Sequence, residues 1–466
     1  YPVIAEATNA KAAADASYAT IANVDVIEIG WKLCLPSAAD AQAMLGETAA
    51  ATPMTEGEMV LTVWDVNVRD VESQMMETLN AEFEAAHPGV KINRVPKSFD
   101  DMMATVQLGM SSPDGPDIAQ VNQGHTDMGA LVKANLLVNL MPYAQKYGWL
   151  SKLGPGLAAR NSFSADGQSF GTGNLYGMPL NAELVGVYYN KAMFEQAGVS
   201  VPKTFVEFEA ALATFKEAGM TPLALGNLEG WPAFHVHGEI LNALLDSRQW
   251  VDNFVFGRGN VSVNTPENLA AAAKVQEWAA NGYFTPGFAG VGYDDSWQLF
   301  ANGEAAMMIT GSWLSGEVEA LPNPDNFGFF LVPPQTAGDW KMAIGGTTLA
   351  FAIRNGSANP DLAAEYIDWL ASDRAKELQV EVGFLPVSPL DPAQLDKGPF
   401  FKDVAAAWAT VNRTDAVGHY LDWATPTYFD TYSAALQELL ASRITPEEFI
   451  QKLEADYSAY LAEKGG

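Results

Sequence analysis

Four tryptophans stand beside polar residues where an apolar run gives way to a loop: Trp64-Asp65, Glu229-Gly-Trp231, Ser312-Trp313 and Asp422-Trp423. An aromatic face stacks on the apolar C–H face of a sugar ring, while carboxylates and amides take its hydroxyls two at a time. A cleft for an uncharged carbohydrate needs that combination. For any single tryptophan a core position is an equal alternative, and Trp64, inside a strand pattern, is expected to be buried. A further stretch, Tyr176-Gly-Met-Pro-Leu-Asn-Ala-Glu-Leu-Val-Gly-Val-Tyr-Tyr-Asn-Lys191, adds Asn181 and Glu183. Gly177 and Pro179 mark a turn, and residues 184–189 then read as a short strand. We expect this stretch to cross between two α/β units, with Glu183 and Asn181 at the crossing and its tyrosines packed.

Other chemistries find no residues to carry them. The chain has neither G-x-x-x-x-G-K-[ST] nor a strand-linked G-x-G-x-x-G, and no H-E-x-x-H or G-x-S-x-G. His235 and His237, two apart, fall on different sides of a helix and make a poor metal pair. The one cysteine, Cys34, permits no intrachain disulfide and no multi-cysteine metal site. No metal, cofactor or catalytic residue is therefore expected. Asp65, Glu183 and Glu229 leave glycoside hydrolysis as the alternative, although any acidic chain of this size offers such a trio.

Bulk properties point the same way. The 466 residues suit two or three domains and are 48% hydrophobic and 18% charged, a globular balance. A formal net charge of −30 argues against nucleic acid or an anionic membrane surface and favours neutral or cationic small molecules. No run of about 18 apolar residues would span a bilayer. A chain opening at Tyr1 suggests a processed or trimmed product, which favours export.

The elements that must position these groups start at Met59. Residues 1–57 read as an extension of unknown role: an alanine-rich helix over 5–19, a period-two strand over 24–29, a helix N-capped by Ser37 and a small-residue linker over 49–57. Beyond it, strands at 59–64, 90–95 and 116–121 alternate with helices at 70–86, 99–110 and 126–135. That alternation implies an α/β fold with a mostly parallel sheet, whose ligands bind beyond the carboxyl ends of strands. Asp65, Asn67, Asn122, Gln123 and His125 occupy such ends. Further helices are expected at 204–218, 235–246, 266–281, 295–302, 361–370, 426–442 and 446–463. Strands are expected from 223, over 305–313 and 327–332, and as one strand over 345–353.

Several of these pieces carry a family signature. They are Leu61-Thr-Val-Trp, Asn80-Ala-Glu-Phe-Glu with His87-Pro-Gly-Val-Lys, Pro116-Asp-Ile, Tyr176-Gly-Met-Pro with Tyr189-Asn-Lys, and Pro202-Lys-Thr-Phe-Val-Glu-Phe. The most specific is Phe300-Ala-Asn-Gly-Glu-Ala-Ala-Met-Met-Ile-Thr-Gly-Ser-Trp313, followed by Gly345-Gly and Gly383-Phe-Leu-Pro-Val. In this order, from Met59 to the C-terminus, the chain resembles bacterial extracellular solute-binding proteins of sugar ABC transporters, the class that includes maltose-binding protein.

The resemblance implies a two-lobe periplasmic-binding-protein fold with hinge crossovers near 181–185, 347–350 and 387–390. Lobe 1 would comprise 58–181 plus 350–388, and lobe 2 would comprise 182–349 plus 389–466. It implies a receptor, not an enzyme, that closes on a carbohydrate and delivers it to a membrane permease; a polyol or other non-sugar solute is the alternative. Carried over by position, Glu183 matches an acid that binds sugar hydroxyls and Trp313 the stacking tryptophan. Glu229 and Trp231 fall in an acid-plus-aromatic loop, His125 or Asp127 in a loop supplying a polar contact, and Trp423 or Tyr428 where a late aromatic lines the cleft. Gly345 and Gly346 complete the expected ligand-binding set. A monomer outside the cytoplasm is implied, either free in the periplasm or as a cell-surface lipoprotein. The 57-residue extension departs from the family pattern.

Overall fold

The computed structural model describes residues 2–13, 15, 17–21, 32–34, 59–259, 261–387 and 390–465. The strand expected at 24–29, the helix capped by Ser37, the linker at 49–57 and part of the third crossing lie outside the described residues. The chain divides into two compact units, Tyr1–Met59 and Val60–Gly466. In the first, helix α1 (Pro2–Ala12) is shorter than expected. Asn9 beyond its middle exchanges two hydrogen bonds with the backbone of Ile21, and the Cys34 amide donates to Thr8 Oγ1 at 2.9 Å.

The second unit holds two main sheets. The first runs β2 (Val90–Pro96), β1 (Met59–Asp65), β3 (Ile118–Val121), β12 (Ala350–Ile353), β6 (Met178–Pro179). The second runs β13 (Val417–Gly418), β11 (Ala343–Thr347), β7 (Ala182–Asn190), β9 (Ala305–Gly311), β8 (Thr221–Ala224), with β10 (Phe327–Phe330) also on β7. A small ladder joins β4 (Ser162–Phe163) to β5 (Asn174–Leu175).

Both main sheets are mixed, where mostly parallel ones were expected. The β1–β3 and β8–β9 pairs are parallel, but β12 is antiparallel to β3 and β6, and β7 is antiparallel to β9, β10 and β11. The cause is the crossing itself, because a strand that leaves one sheet and a strand that returns to it run in opposite directions. The single strand expected over 345–353 is accordingly two, β11 and β12, parted at Thr348-Leu349 as the chain changes sheet.

The crossings lie side by side. Gly346 pairs with Glu183 in the β11–β7 ladder, and the Thr348 amide donates to the Asn181 carbonyl at 3.1 Å. Asn181 bridges Pro386, and the Ala182 amide donates to the Leu385 carbonyl at 2.9 Å. A Cβ on Gly345 would stand 2.7 Å from the Glu183 carbonyl, so glycine is what lets these strands approach.

Helices cover the sheets for local reasons legible in their sequences. In α2 (Asp70–Ala86) Met75, Met76, Leu79 and Phe83 recur on one face and are buried, each such side chain contributing about 1.5–3 kcal/mol. The helix stops at His87-Pro-Gly, where Gly89 takes a φ of 89°. Ser98 caps α3 (Phe99–Ser111) by accepting the Asp101 amide. After α4 (Trp149–Arg160), Thr204 and Glu207 form a capping box at α5 (Phe205–Glu217). The segment expected as a helix over 126–135 is a π-helical turn, His125–Gly129, followed by one α-helical turn. Then come α6 (Pro232–Leu244), α7 (Pro266–Ala280), α8 (Tyr293–Ala301), α9 (Pro360–Leu370), α10 (Asp373–Val382), α11 (Pro399–Arg413), α12 (Tyr428–Leu440) and α13 (Pro446–Gly465). Trp64 is half-buried, with Lys97 Nζ 4.2 Å from its ring centre, rather than inside the core.

Candidate functional site

Where the crossings meet, a solvent-open cleft of about 1120 Å³ takes residues from both sheets. Its floor is acidic. Glu183, the second residue of β7 past the crossing, is 8% exposed, and its Oε1 accepts the Tyr420 hydroxyl at 2.8 Å. Burial pushes this carboxyl up to about 8, and the Tyr420 bond only partly offsets it. Asp422, in the 3-10 turn Leu421–Trp423, is 7% exposed and lines the cleft. Among the described residues no other side chain hydrogen-bonds its carboxylate, and burial pushes it up to about 7.

One wall is aromatic. Trp231 lies 4.6 Å from Tyr293 and 6.4 Å from Trp313, measured between ring centres. Trp313 Nε1 donates to the Tyr293 hydroxyl at 2.6 Å, and that hydroxyl pairs with Thr310 Oγ1 at 2.9 Å. At Gly311, the last residue of β9, the Trp313 ring folds back so closely that a Cβ there would overlap it. Glu229 accepts the Tyr293 amide with both carboxylate oxygens at 3.1 Å, so it caps α8 as it faces the cleft.

The first sheet contributes amides that the protein already uses. Asn67 Nδ2 donates to Asp65 Oδ1 at 3.2 Å and Gln120 Oε1 at 3.4 Å, and Asn122 Oδ1 accepts the Gln123 amide at 3.0 Å. Arg69 is the one basic side chain among the described residues lining the cleft. It donates to Asp294 at 2.9 and 3.1 Å and to Glu72 at 3.4 Å, with its guanidinium 5.6 Å from the Tyr293 ring centre. Glu72 is pushed up to about 7 by burial, which outweighs Arg69.

Of the fifteen expected residues, Asn67, Asn122, Glu183, Glu229, Trp231, Trp313 and Trp423 line this cleft. The others lie behind it. Asp65 is wholly buried, with Arg94 donating to it at 2.7 and 2.9 Å. Gln123 Nε2 donates to Asn161 Oδ1, Thr347 Oγ1 and the Thr348 carbonyl, which ties it to the second crossing. His125 packs edge-on against the stacked pair Phe163 and Phe170 with Nε2 2.9 Å from the Tyr460 hydroxyl, and burial drives its imidazole down to about 3. Burial pushes Asp127 up to about 7. Asn181, Gly345 and Gly346 are parts of the crossings, and Tyr428 is buried at the start of α12 against Phe254.

The expected ligand-binding set left out Arg69, Glu72, Tyr293, Asp294, Tyr420 and Asp422, which also line the cleft. Asp422 had a visible signal, its place beside Trp423; Arg69 had none. His235 and His237 are both buried in α6, His237 Nδ1 lying 2.6 Å from the Tyr432 hydroxyl. Among the described residues no cluster of His, Cys, Asp and Glu could hold a metal, and no helix is long and apolar enough to cross a membrane.

Two mixed α/β layers joined by laced crossings, with a cleft between them, define a two-lobe solute-binding fold. The model of the bacterial extracellular solute-binding protein family matches residues 67–377, and the chain belongs to that family. It is 24% identical over 331 residues to a multiple sugar-binding protein of Streptococcus mutans, covering 70% of this chain and 75% of that one. A putative binding protein of Brucella abortus is 25% identical over 433 residues, 90% of this chain and 97% of the relative. Among solved structures, a chitin oligosaccharide binding protein superposes with a TM-score of 0.75 at 23% identity, covering 87% of this chain and 99% of that one.

Proposed function

We propose that this protein is the substrate-binding receptor of an ABC importer, taking a neutral carbohydrate in the cleft and passing it to a membrane permease. The observation that carries this reading is an aromatic wall, Trp231, Tyr293 and Trp313, on the same cleft as an acidic floor, Glu183 and Asp422. A sugar ring stacks on the first, and its hydroxyls donate to the second. Asp422 is buried with no side-chain partner among the described residues, and a hydroxyl from the ligand would pair with it. Against anionic solutes stands the pairing of Arg69, which Asp294 and Glu72 already engage.

Binding without turnover fits the fate of the candidate acid trio. Asp65 is held by Arg94 and Glu229 caps a helix, so neither stands ready beside Glu183 as a general acid or base. We take the lobes to be 58–181 plus 350–388 and 182–349 plus 389–466, turning about the crossings, and the protein to act as an extracytoplasmic monomer, periplasmic or anchored at the cell surface. A melting-temperature screen against mono- and oligosaccharides and polyols, with product analysis of the same mixtures, tests the reading. At a hundred times the Kd a ligand stabilises by about 2.7 kcal/mol, an easily read shift. A carbohydrate should raise the melting temperature and be recovered unchanged; if no sugar or polyol does so, the reading fails.

A further inference from the structure

On one rim of the cleft, charges from the two halves meet directly. Arg69 precedes α2, which joins two strands of the first sheet, while Asp294 opens α8 and Glu317 follows β9 on the side of the second. Arg69 Nε and Nη2 donate to Asp294 Oδ1 at 3.1 and 2.9 Å. Glu317 Oε1 accepts the Val71 amide at 3.2 Å. The first amides of a helix have no partner within it, and a carboxylate there also meets the positive end of the helix dipole. The start of α2 is thus capped twice, locally by Glu72, whose Oε1 accepts the Arg69 amide at 3.1 Å, and from across the cleft by Glu317. Glu317 also lies close enough to Arg69 for the two charges to attract.

We propose that Arg69, Asp294 and Glu317 are positioning residues that form a charge latch between the halves, setting how often the chain is closed before ligand arrives. Every one of these contacts requires the halves to be together, so each favours the closed form over the open one. The fraction closed multiplies the intrinsic affinity of the cleft, whatever solute it takes. The Asp294 side chain is 64% exposed and that of Arg69 21%, so the latch is open to screening by salt.

The test reads the spacing of the halves in ligand-free protein and needs no knowledge of the solute. Leu108 on α3 and Val206 on α5 are 75% and 67% exposed, and both can be made cysteine for spin labels in a Cys34→Ser background. At low salt the distance distribution should be dominated by the short, closed spacing. Glu317→Gln and Asp294→Asn should each lower the ratio of closed to open molecules about two- to fivefold, the effect of a half-exposed pair. NaCl at about 1 M should do the same to the unmodified latch, and less to the variants. Glu82→Gln, which removes a partner of Arg374 within the first half, is the control and should leave the spacing unchanged. Spacing indifferent to salt and to both variants overturns the proposal, as does an equal shift in the control.

Discussion

Asp65 and Asp422 look alike in sequence, since each is an aspartate next to a tryptophan at the end of an apolar run, yet they belong to opposite parts of the molecule. Asp65 closes β1 with no exposed surface; Arg94 bonds both its oxygens and the Asn67 amide donates to it at 3.0 Å. Asp422 faces the cleft with no side-chain partner among the described residues and is pushed up to about 7 by burial. What separates them is a counter-ion: β2 delivers Arg94 beside β1, whereas among the described residues no basic side chain pairs with Asp422. A buried charge must be paired. Where the chain supplies the partner the acid becomes scaffold, and where it does not the acid is left for a ligand.

The contrast breaks first at Asp65. Asp65→Ala leaves Arg94 buried beside an empty space, and denaturant unfolding should show a loss of about 3–5 kcal/mol. A loss below about 1 kcal/mol would mean that Asp65 is not scaffold after all. Asp422→Asn should do the opposite, leaving stability unchanged or raised and weakening ligand binding by about 1.5–3 kcal/mol in titration calorimetry, the scale of a hydrogen bond to a charged group. Trp313→Ala should cost about 1–3 kcal/mol of binding, the range for stacking a nucleobase on an aromatic applied to a sugar ring. Its far-ultraviolet circular dichroism should be unchanged; unfolding would move Trp313 from the site to the core.

A separate effect concerns protons. Glu183 has an ordinary value of 4.5 and a folded value of about 8, so between those limits the native state holds a proton that the unfolded chain has lost. The contribution of this group to stability is therefore whole below about 4.5 and falls as pH rises toward 8. Asp422 acts in the same sense from 3.8 to about 7. Melting curves across this window should flatten in Glu183→Gln, whereas a Glu183→Gln profile parallel to the parent would place the titrating group elsewhere.

Much of the architecture was legible because local patterns carried it. The 3.6-residue spacing of Met75, Leu79 and Phe83, the Thr204–Glu207 box and the glycine pair at 345–346 each name an element or a break on their own. The aromatic wall was half visible: Trp231 and Trp313 announced themselves, but Tyr293, which holds Trp313 by its indole, belongs to an unremarkable Gly-Tyr-Asp-Asp run. Partners distant in sequence were invisible. Nothing near Asp65 forecasts Arg94, nothing near Arg69 forecasts Asp294, and nothing near His125 forecasts Tyr460. The strand over 345–353 misled for a related reason, since its run of β-forming residues continues through Thr348-Leu349 while the sheet around it changes.

One consequence follows from where Glu183 is stitched into the chain. It pairs with Gly346, so its backbone belongs to two crossings at once, and its carboxyl is held by Tyr420. A turn of one half against the other carries the rims through an arc, but a residue on the axle scarcely moves. A solute grounded on Glu183 therefore feels that acid equally in either posture. Such a contact adds affinity without torque, because only contacts that differ between two states can shift their balance. The turning moment has to come from groups away from the axle, which meet the solute, or each other, only after the swing is complete.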